Sequence, residues 1–238
     1  MQTAYLDRRN DLSTPQAIYN HSIRPEHNCD IGQHLPTLRK LAIGNIVEIG
    51  VRGGSSTAAF ILGLRDCTCG HEQGLHSNGY CYMYNVGCQC QEFKAKAGHL
   101  WSLDVNPLCG TEVFEPGMPE WTFLHANSTL DWDRVRRVIP TEIDILFLDG
   151  EHNYEQVIEE LDRYGPLVNR GGLILMHDIE LTDEEAKHAG LRYLPGVRRA
   201  ALEYGARTGG RLEIQHGSYG LGIMRIPLYV GVDMAATK

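Results

Sequence analysis

The chain has 238 residues, a net charge of -8 and 22% charged residues, which suits a globular protein with one α/β domain. The negative charge argues against a broad nucleic-acid-binding surface, because such surfaces are basic. No apolar run is long enough to cross a bilayer, and the polar N-terminus lacks the apolar stretch of a secretory signal. We therefore expect a cytoplasmic protein that acts on a small molecule rather than on nucleic acid or a membrane. The sequence leaves open whether the protein forms a homo-oligomer.

The chain divides into two parts by its pattern. Residues 1–43 are punctuated by prolines and predict a helical preamble, in which Leu35, Leu38 and Leu41 have helical spacing. Residues 44–238 predict a single domain. A segment at 66–93, rich in Cys, His and Gly and without sustained periodicity, is predicted to be an insertion in it.

Short apolar segments alternate with helical patterns from residue 44 onward. The predicted strands are 46–50, 100–104, 121–125, 143–148, 173–176, 212–215 and 222–226. The predicted helices are 57–64, 130–138, 154–168 and 183–207, the last interrupted near Pro195. Ser55 is predicted to cap the first helix, and Gly171 and Gly172 to end the third. This order predicts a Rossmann-like, doubly wound, mostly parallel sheet with an antiparallel C-terminal strand pair.

Ligands of such sheets bind beyond the carboxyl ends of the strands. Gly50, Gly53 and Gly54 follow the first strand and would let the backbone approach a ligand closely. Glu48 precedes this turn and Asp104 ends the next strand, where a carboxylate can hold both hydroxyls of a ribose. A tight turn without a ligand is the alternative. Asp104 lies 54 residues beyond Gly50, and removing the insertion of roughly 27 residues brings this near the spacing of about 20 in dinucleotide folds.

Three segments, 47–57 (VEIGVRGGSST), 149–155 (DGEHNYE) and 171–178 (GGLILMHD), are informative together. In this order they resemble motifs of the class I S-adenosylmethionine-dependent methyltransferases. Residues 47–57 (VEIGVRGGSST) resemble their first motif in its E-x-G-x-R-x-G-x-S variant, which is found in small-molecule O-methyltransferases and cephalosporin-hydroxylase-like proteins. Residues 149–155 (DGEHNYE) and 171–178 (GGLILMHD) resemble two later segments of the same subgroup, in the same order.

The resemblance implies a set of residues that bind S-adenosylmethionine. Gly50 and its neighbours would approach the methionine part, Asp104 would bind the ribose, and Asn127 and Ser128 would lie near the adenine. Arg52 stands where the commonest motif has glycine. The complete predicted set is Glu48, Gly50, Arg52, Gly53, Gly54, Ser55, Asp104, Asn127, Ser128 and Asp149.

Asp149, His177 and Asp178 end neighbouring predicted strands and could together hold a divalent cation. Oxygen ligands suit Mg²⁺, whereas an imidazole favours Mn²⁺ or a softer ion. Asp149 and His152 are the predicted catalytic residues, with His152 as a general base. The alternatives are that both aspartates cap helices and that His152 only makes a local hydrogen bond at a helix start.

Five of the seven cysteines lie between Cys67 and Cys90, interspersed with two histidines. Such clustering in a reducing compartment indicates metal more than disulfides, and the arrangement resembles small zinc-knuckle insertions. We expect one structural zinc, and free thiols or one disulfide are the alternative. The predicted ligands are Cys69, His76, Cys81 and Cys90, with Cys67, His71 and Cys88 as alternates.

The combined expectation is an S-adenosylmethionine-dependent methyltransferase that uses Mg²⁺ or Mn²⁺ to methylate a small hydroxylated molecule. A hydroxylase-like enzyme on the same scaffold is a second possibility. A third is a binding module that docks a partner through the zinc loop.

Overall fold

The computed structural model contains a seven-stranded sheet with helices packed against it and a separate two-stranded hairpin. It describes residues 12, 14–66, 96–111, 117–188, 190–191 and 194–228, and the backbone of 76–77 and 80–81. None of the helices in these ranges is long and apolar enough to span a membrane.

The elements follow in the order expected for an α/β fold. The strands are β1 (Gly44–Ile49), β2 (His76–Ser77), β3 (Tyr80–Cys81), β4 (Gly98–Asp104), β5 (Trp121–His125), β6 (Ile143–Leu148), β7 (Val168–His177), β8 (Arg211–Gln215) and β9 (Leu221–Arg225). The helices are α1 (Pro15–Ser22), α2 (Leu35–Leu41), α3 (Ser55–Arg65), α4 (Leu108–Thr111), α5 (Trp132–Val135), α6 (Tyr154–Tyr164), α7 (Asp183–His188) and α8 (Val197–Thr208). Short 3₁₀ turns cover Pro25–His27, Gly32–His34 and Gly165–Leu167.

The main sheet has the order β5-β4-β1-β6-β7-β9-β8. The first five strands run parallel, and β9 pairs antiparallel with both β7 and β8. The last four residues of β1 are buried, as expected for a central parallel strand covered on both faces. The structure thus confirms the predicted fold class and its antiparallel C-terminal pair.

The segment before β1 packs against the first helix of the sheet. Helices α1 and α2 both contact α3, and Ile18, Leu35 and Leu38 belong to the same buried cluster as α3. Arg39 donates two hydrogen bonds of 2.8 Å to the carboxylate of Asp66, and this buried ion pair joins the end of α2 to the end of α3.

Three local predictions were wrong. Gly54, with φ of +78°, occupies the cap position of α3, so Ser55 is the first residue of the helix instead of its cap. The helix predicted over 130–138 is the single turn α5. Gly171 and Gly172 end no helix, because α6 stops at Tyr164. Both glycines lie inside β7, which begins at Val168, five residues before the predicted strand 173–176.

Candidate active site

The loop between β1 and α3 has an unusual backbone that brings it close to the end of β6. Gly50 has φ of +92°, and a Cβ there would lie 2.2 Å from the carbonyl oxygen of Asp149. Asp104 Oδ2 accepts hydrogen bonds from the backbone N–H groups of Val51, at 2.9 Å, and Arg52, at 3.0 Å. The carboxylate predicted to bind a ribose therefore also holds the glycine loop in place.

Glu48 lies beneath this loop and is fully buried. Ser56 donates to one carboxylate oxygen at 2.6 Å, while Thr57 and Ser102 donate to the other at 2.7 and 2.5 Å. Burial raises the pKa of Glu48 to about 7, although the three hydroxyl groups oppose this shift. The prediction that Glu48 contacts a cofactor directly is therefore revised: it joins the start of α3 to β4 and supports the loop from below.

The segment before β1 also contacts the loop, from its other side. Arg52, which has φ of +46°, pairs with Asp30 at 2.6 Å. Ser55 Oγ lies 2.8 Å from Ser22 Oγ at the end of α1. Arg52 and Ser55 thus have partners within the chain, and Gly53 has open space where a Cβ would be.

The loop after β5 turns through Asn127, whose side-chain oxygen accepts from the backbone N–H groups of Thr129 and Leu130. The hydroxyl of Ser128 points inward and donates to the buried Glu160 at 2.5 Å. This hydrogen bond does not fit the predicted contact of the Ser128 hydroxyl with adenine. Glu160 has a second oxygen without a hydrogen-bond partner among the described residues. Burial raises its pKa to about 7. Sequence reasoning missed Glu160, although it lies on the otherwise apolar stripe of α6 beside Val157, Leu161 and Tyr164.

We expect Glu160→Gln to stabilise the protein at pH 8. The ordinary carboxyl pKa is 4.5 and the folded value about 7, so the stability present below pH 4.5 is lost as the pH rises to 7, a loss of about 3 kcal/mol. The neutral amide avoids this loss. Urea unfolding at pH 5 and pH 8 measures the difference, with the exposed Glu155→Gln as a control. An equal pH slope in wild type and Glu160→Gln would show that Glu160 stays ionised.

A cluster of acids and imidazoles lies at the carboxyl ends of β6 and β7. Ligand atoms of Asp149, His152 and Asp178 lie within 4.8 Å of one another. His152 Nε2 is 3.0 Å from Asp178 Oδ2 and 3.8 Å from Asp149 Oδ1. Both ring nitrogens of His152 are buried and have no well-formed hydrogen bond within the described part of the chain. Asn153, and not Asp149, caps α6, which removes the helix-cap alternative for Asp149.

His177 also lies in this cluster. Its Nδ1 lies 3.1 Å from Asp149 Oδ1 and 3.3 Å from Asp178 Oδ2, and its Nε2 lies 3.1 Å from the carbonyl oxygen of Ser218. Because every one of these partners accepts hydrogen bonds, the ring donates from both nitrogens as an imidazolium.

The charges within the cluster are consistent with this assignment. Burial disfavours the charged form of His177, but Asp149 and Asp178 outweigh it and raise its pKa. Burial likewise opposes ionisation of Asp149, yet His177 and His152 lower its pKa. Burial also disfavours the charged form of His152, but Asp149 and Asp178 outweigh it and raise its pKa. Among the described residues, the ligand atoms of Asp149, His152 and Asp178 come close enough together to hold a metal ion. The predicted set Asp149, His177 and Asp178 therefore stays a prediction, and His152 is a further candidate ligand.

The predicted zinc ligands Cys69 and Cys90, and the alternates Cys67, His71 and Cys88, lie outside the described residues. The backbone places the other two predicted ligands, His76 and Cys81, opposite each other in the β2–β3 hairpin.

A glycine loop and acids at the carboxyl ends of parallel strands form the arrangement by which α/β enzymes bind a nucleotide-like cofactor. Residues 47–179 match a family described as a methyltransferase domain. This match covers more than half of the chain, which therefore belongs to that family. The prediction of a methyltransferase is thereby confirmed.

Solved structures share the fold at low sequence identity. A putative caffeoyl-CoA O-methyltransferase from Staphylococcus aureus has a TM-score of 0.51 and 14% identity over 82% of this chain and 83% of its own. The methyltransferase PaMTH1 of Podospora anserina, bound to S-adenosylhomocysteine (SAH), has a TM-score of 0.52 and 13% identity over 89% of this chain and 87% of its own. MycE of the mycinamycin pathway, in complex with Mg, SAH and mycinamycin VI, has a TM-score of 0.52 and 14% identity over 97% of this chain and 57% of its own.

A curated relative matches over a shorter stretch. An uncharacterized protein of Acanthamoeba polyphaga mimivirus is 45% identical over 42 residues, which cover 18% of this chain. The match spans about a fifth, 19%, of the length of that relative.

Proposed function

We propose that this enzyme transfers the methyl group of S-adenosylmethionine to a hydroxyl oxygen of a small molecule, assisted by a divalent cation. The observation that carries the proposal is the cluster of Asp149, His152 and Asp178 at the strand ends beside the glycine loop. MycE, which has this fold, was crystallised with Mg, SAH and a small-molecule ligand. The net charge of -8 favours a small acceptor over nucleic acid.

The donor set fits a divalent cation. Two carboxylates supply charge, and His152 Nε2 lies close to both of them, 3.0 Å from Asp178 Oδ2 and 3.8 Å from Asp149 Oδ1. Two oxygen ligands and one imidazole suit Mn²⁺ as well as Mg²⁺. A cation held there would polarise the acceptor hydroxyl and lower its pKa.

The chain's own residues orient the two substrates. The loop from Gly50 to Gly54 would receive the methionine part of the cofactor, with its backbone fixed by Asp104. Asp104 Oδ1 also accepts a hydrogen bond from the backbone N–H of Asn106, so the Asp104 carboxylate is held in place at the carboxyl end of β4. In methyl transfer the acceptor oxygen bonds to the methyl carbon as the carbon–sulfur bond breaks in line with it, S-adenosylhomocysteine leaves, and the acceptor's proton passes to solvent. The rate of this step depends mainly on the positioning of the two substrates.

His152 has two possible roles, which exclude each other at one nitrogen. A nitrogen that binds a cation cannot accept a proton at the same time. The position of His152 Nε2 beside both aspartates favours the ligand role over the general-base role. The structural zinc of the Cys/His-rich insertion stays a prediction that rests on the sequence.

Transfer of labelled methyl groups tests the proposal. The protein is incubated with methyl-labelled S-adenosylmethionine, a pool of small hydroxylated metabolites and an excess of Mg²⁺ or Mn²⁺. We expect label in a small product, and we expect chelation with EDTA to abolish it and added cation to restore it. Labelling that EDTA does not affect would contradict the cation's role, and the absence of any labelled small product would contradict the acceptor class.

A further inference from the structure

The turn between β8 and β9, residues 216–220, has a strained backbone. Gly217, Ser218, Tyr219 and Gly220 have φ values of +100°, +42°, +65° and +78°. Serine and tyrosine rarely adopt the left-handed region, and such residues persist only where surrounding contacts hold them. Clusters of such outliers are found mainly at functional sites.

Three consecutive carbonyl oxygens of this turn each accept a hydrogen bond from another part of the chain. Gly217 O lies 2.7 Å from His34 Nε2, and Ser218 O lies 3.1 Å from His177 Nε2. Tyr219 O accepts from the backbone N–H of Glu180 at 2.7 Å. The turn is therefore fixed by two buried imidazole rings and one backbone group.

The burial of His34 at this position costs free energy of folding. It is fully buried just before α2, and its Nδ1 has no hydrogen-bond partner among the described residues. An apolar side chain would fill this part of the core without leaving a polar atom unpaired. What the imidazole adds is the hydrogen bond to Gly217 and an edge contact with His177, whose ring centroid is 5.8 Å away.

A continuous line of contacts joins His34 to the acid cluster. His34 holds the 216–220 turn, the turn's Ser218 carbonyl holds one side of His177, and the other side of His177 faces Asp149 and Asp178. His34 and the turn both lie outside the family match at 47–179. This support is therefore a feature of the chain's own flanking segments.

We propose that His34 is a positioning residue of the active site. It fixes the 216–220 turn so that the Ser218 carbonyl sets the orientation of His177, which in turn holds Asp149 and Asp178 at the spacing that a divalent cation requires. The expected consequence is tighter cation binding, and this part of the inference rests on the proposed function. Groups that orient metal ligands in this way typically contribute 10- to 100-fold in metal affinity.

A pair of matched variants tests this role. Glutamine places an amide nitrogen where His34 has Nε2 and can still donate to Gly217, whereas asparagine is too short to reach it. We expect His34→Asn to weaken Mn²⁺ binding, measured by electron paramagnetic resonance, by about 10-fold or more, and His34→Gln to retain most of the affinity. Both should bind SAH as the wild type does. His99→Leu, which removes an imidazole bonded to Thr122 near the start of β4, should change neither.

A second measurement separates failure of the inference from failure of the proposed function. In metal-free protein, the imidazole N–H signals of His177 in NMR spectra should shift or broaden in His34→Asn and stay near their wild-type positions in His34→Gln. Unchanged His177 signals in a folded His34→Asn protein would overturn the positioning role. Absence of Mn²⁺ binding in the wild type would instead overturn the cation site, and the NMR comparison would still decide the role of His34.

Discussion

Asp149→Ala is expected to lower the methyl-transfer rate at least about a thousand-fold. Asp149 contributes one of the clustered ligand atoms and also faces His177 at 3.1 Å, so the variant loses both a cation ligand and the partner of a buried imidazolium. Because Asp149 ends β6 and the glycine loop is fixed by Asp104 on β4, SAH affinity should stay within a few-fold of the wild type.

Asp149→Asn provides the matched control, since it keeps the size and one oxygen but removes the charge. Rates are measured with labelled S-adenosylmethionine and SAH binding by calorimetry, after unfolding curves have shown that both variants are folded. A loss of SAH binding as large as the loss of rate would mean that Asp149 belongs to the cofactor site and not to the acceptor side.

Gly50→Ala is expected to be the most damaging change in the loop. Gly50 has φ of +92°, and an added Cβ would meet the Asp149 carbonyl oxygen at 2.2 Å, so the loop and the end of β6 must separate. We expect a loss of about 3 kcal/mol or more in the free energy of unfolding, which corresponds to a fall in melting temperature of roughly 6–12 °C. SAH affinity should fall with it.

Gly53→Ala serves as the stability control within the same loop, because a Cβ at Gly53 has nothing within 4 Å. Its melting temperature should remain close to that of the wild type. Equal melting temperatures for Gly50→Ala and Gly53→Ala would show that the close approach of the loop to β6 is unimportant.

The sequence predicted the sheet well because its strands are short apolar runs that end at polar residues, as in the stretch from Ile143 to Asp149. The glycine loop was predictable because Gly50, Gly53 and Gly54 directly follow an apolar strand, and the spacing from Gly50 to Asp104 supported the prediction. Gly171 and Gly172 were wrongly predicted to end a helix because glycine commonly ends helices and weakens strand interiors. In the structure both glycines lie in β7, which is held by its pairing with β6 and β9.

The assignment of the histidines could not be made from the sequence alone. His177 directly precedes Asp178 and His152 follows Asp149 by three residues, so in the sequence either histidine could be a ligand. Their roles differ because the carbonyl of Ser218, 41 residues beyond His177, faces the ring of His177. The contribution of His34 depends on a still longer contact, with Gly217, which lies 183 residues away. Such contacts between distant segments leave no periodic or spacing signal.

Calorimetric titration of the wild-type protein with S-adenosylmethionine is the most direct test of the central claim. We expect saturable binding of one cofactor per chain below high micromolar concentrations, weakened in Gly50→Ala and retained in Asp149→Ala. Absence of binding by the folded wild-type protein at those concentrations would rule out the proposed cofactor site.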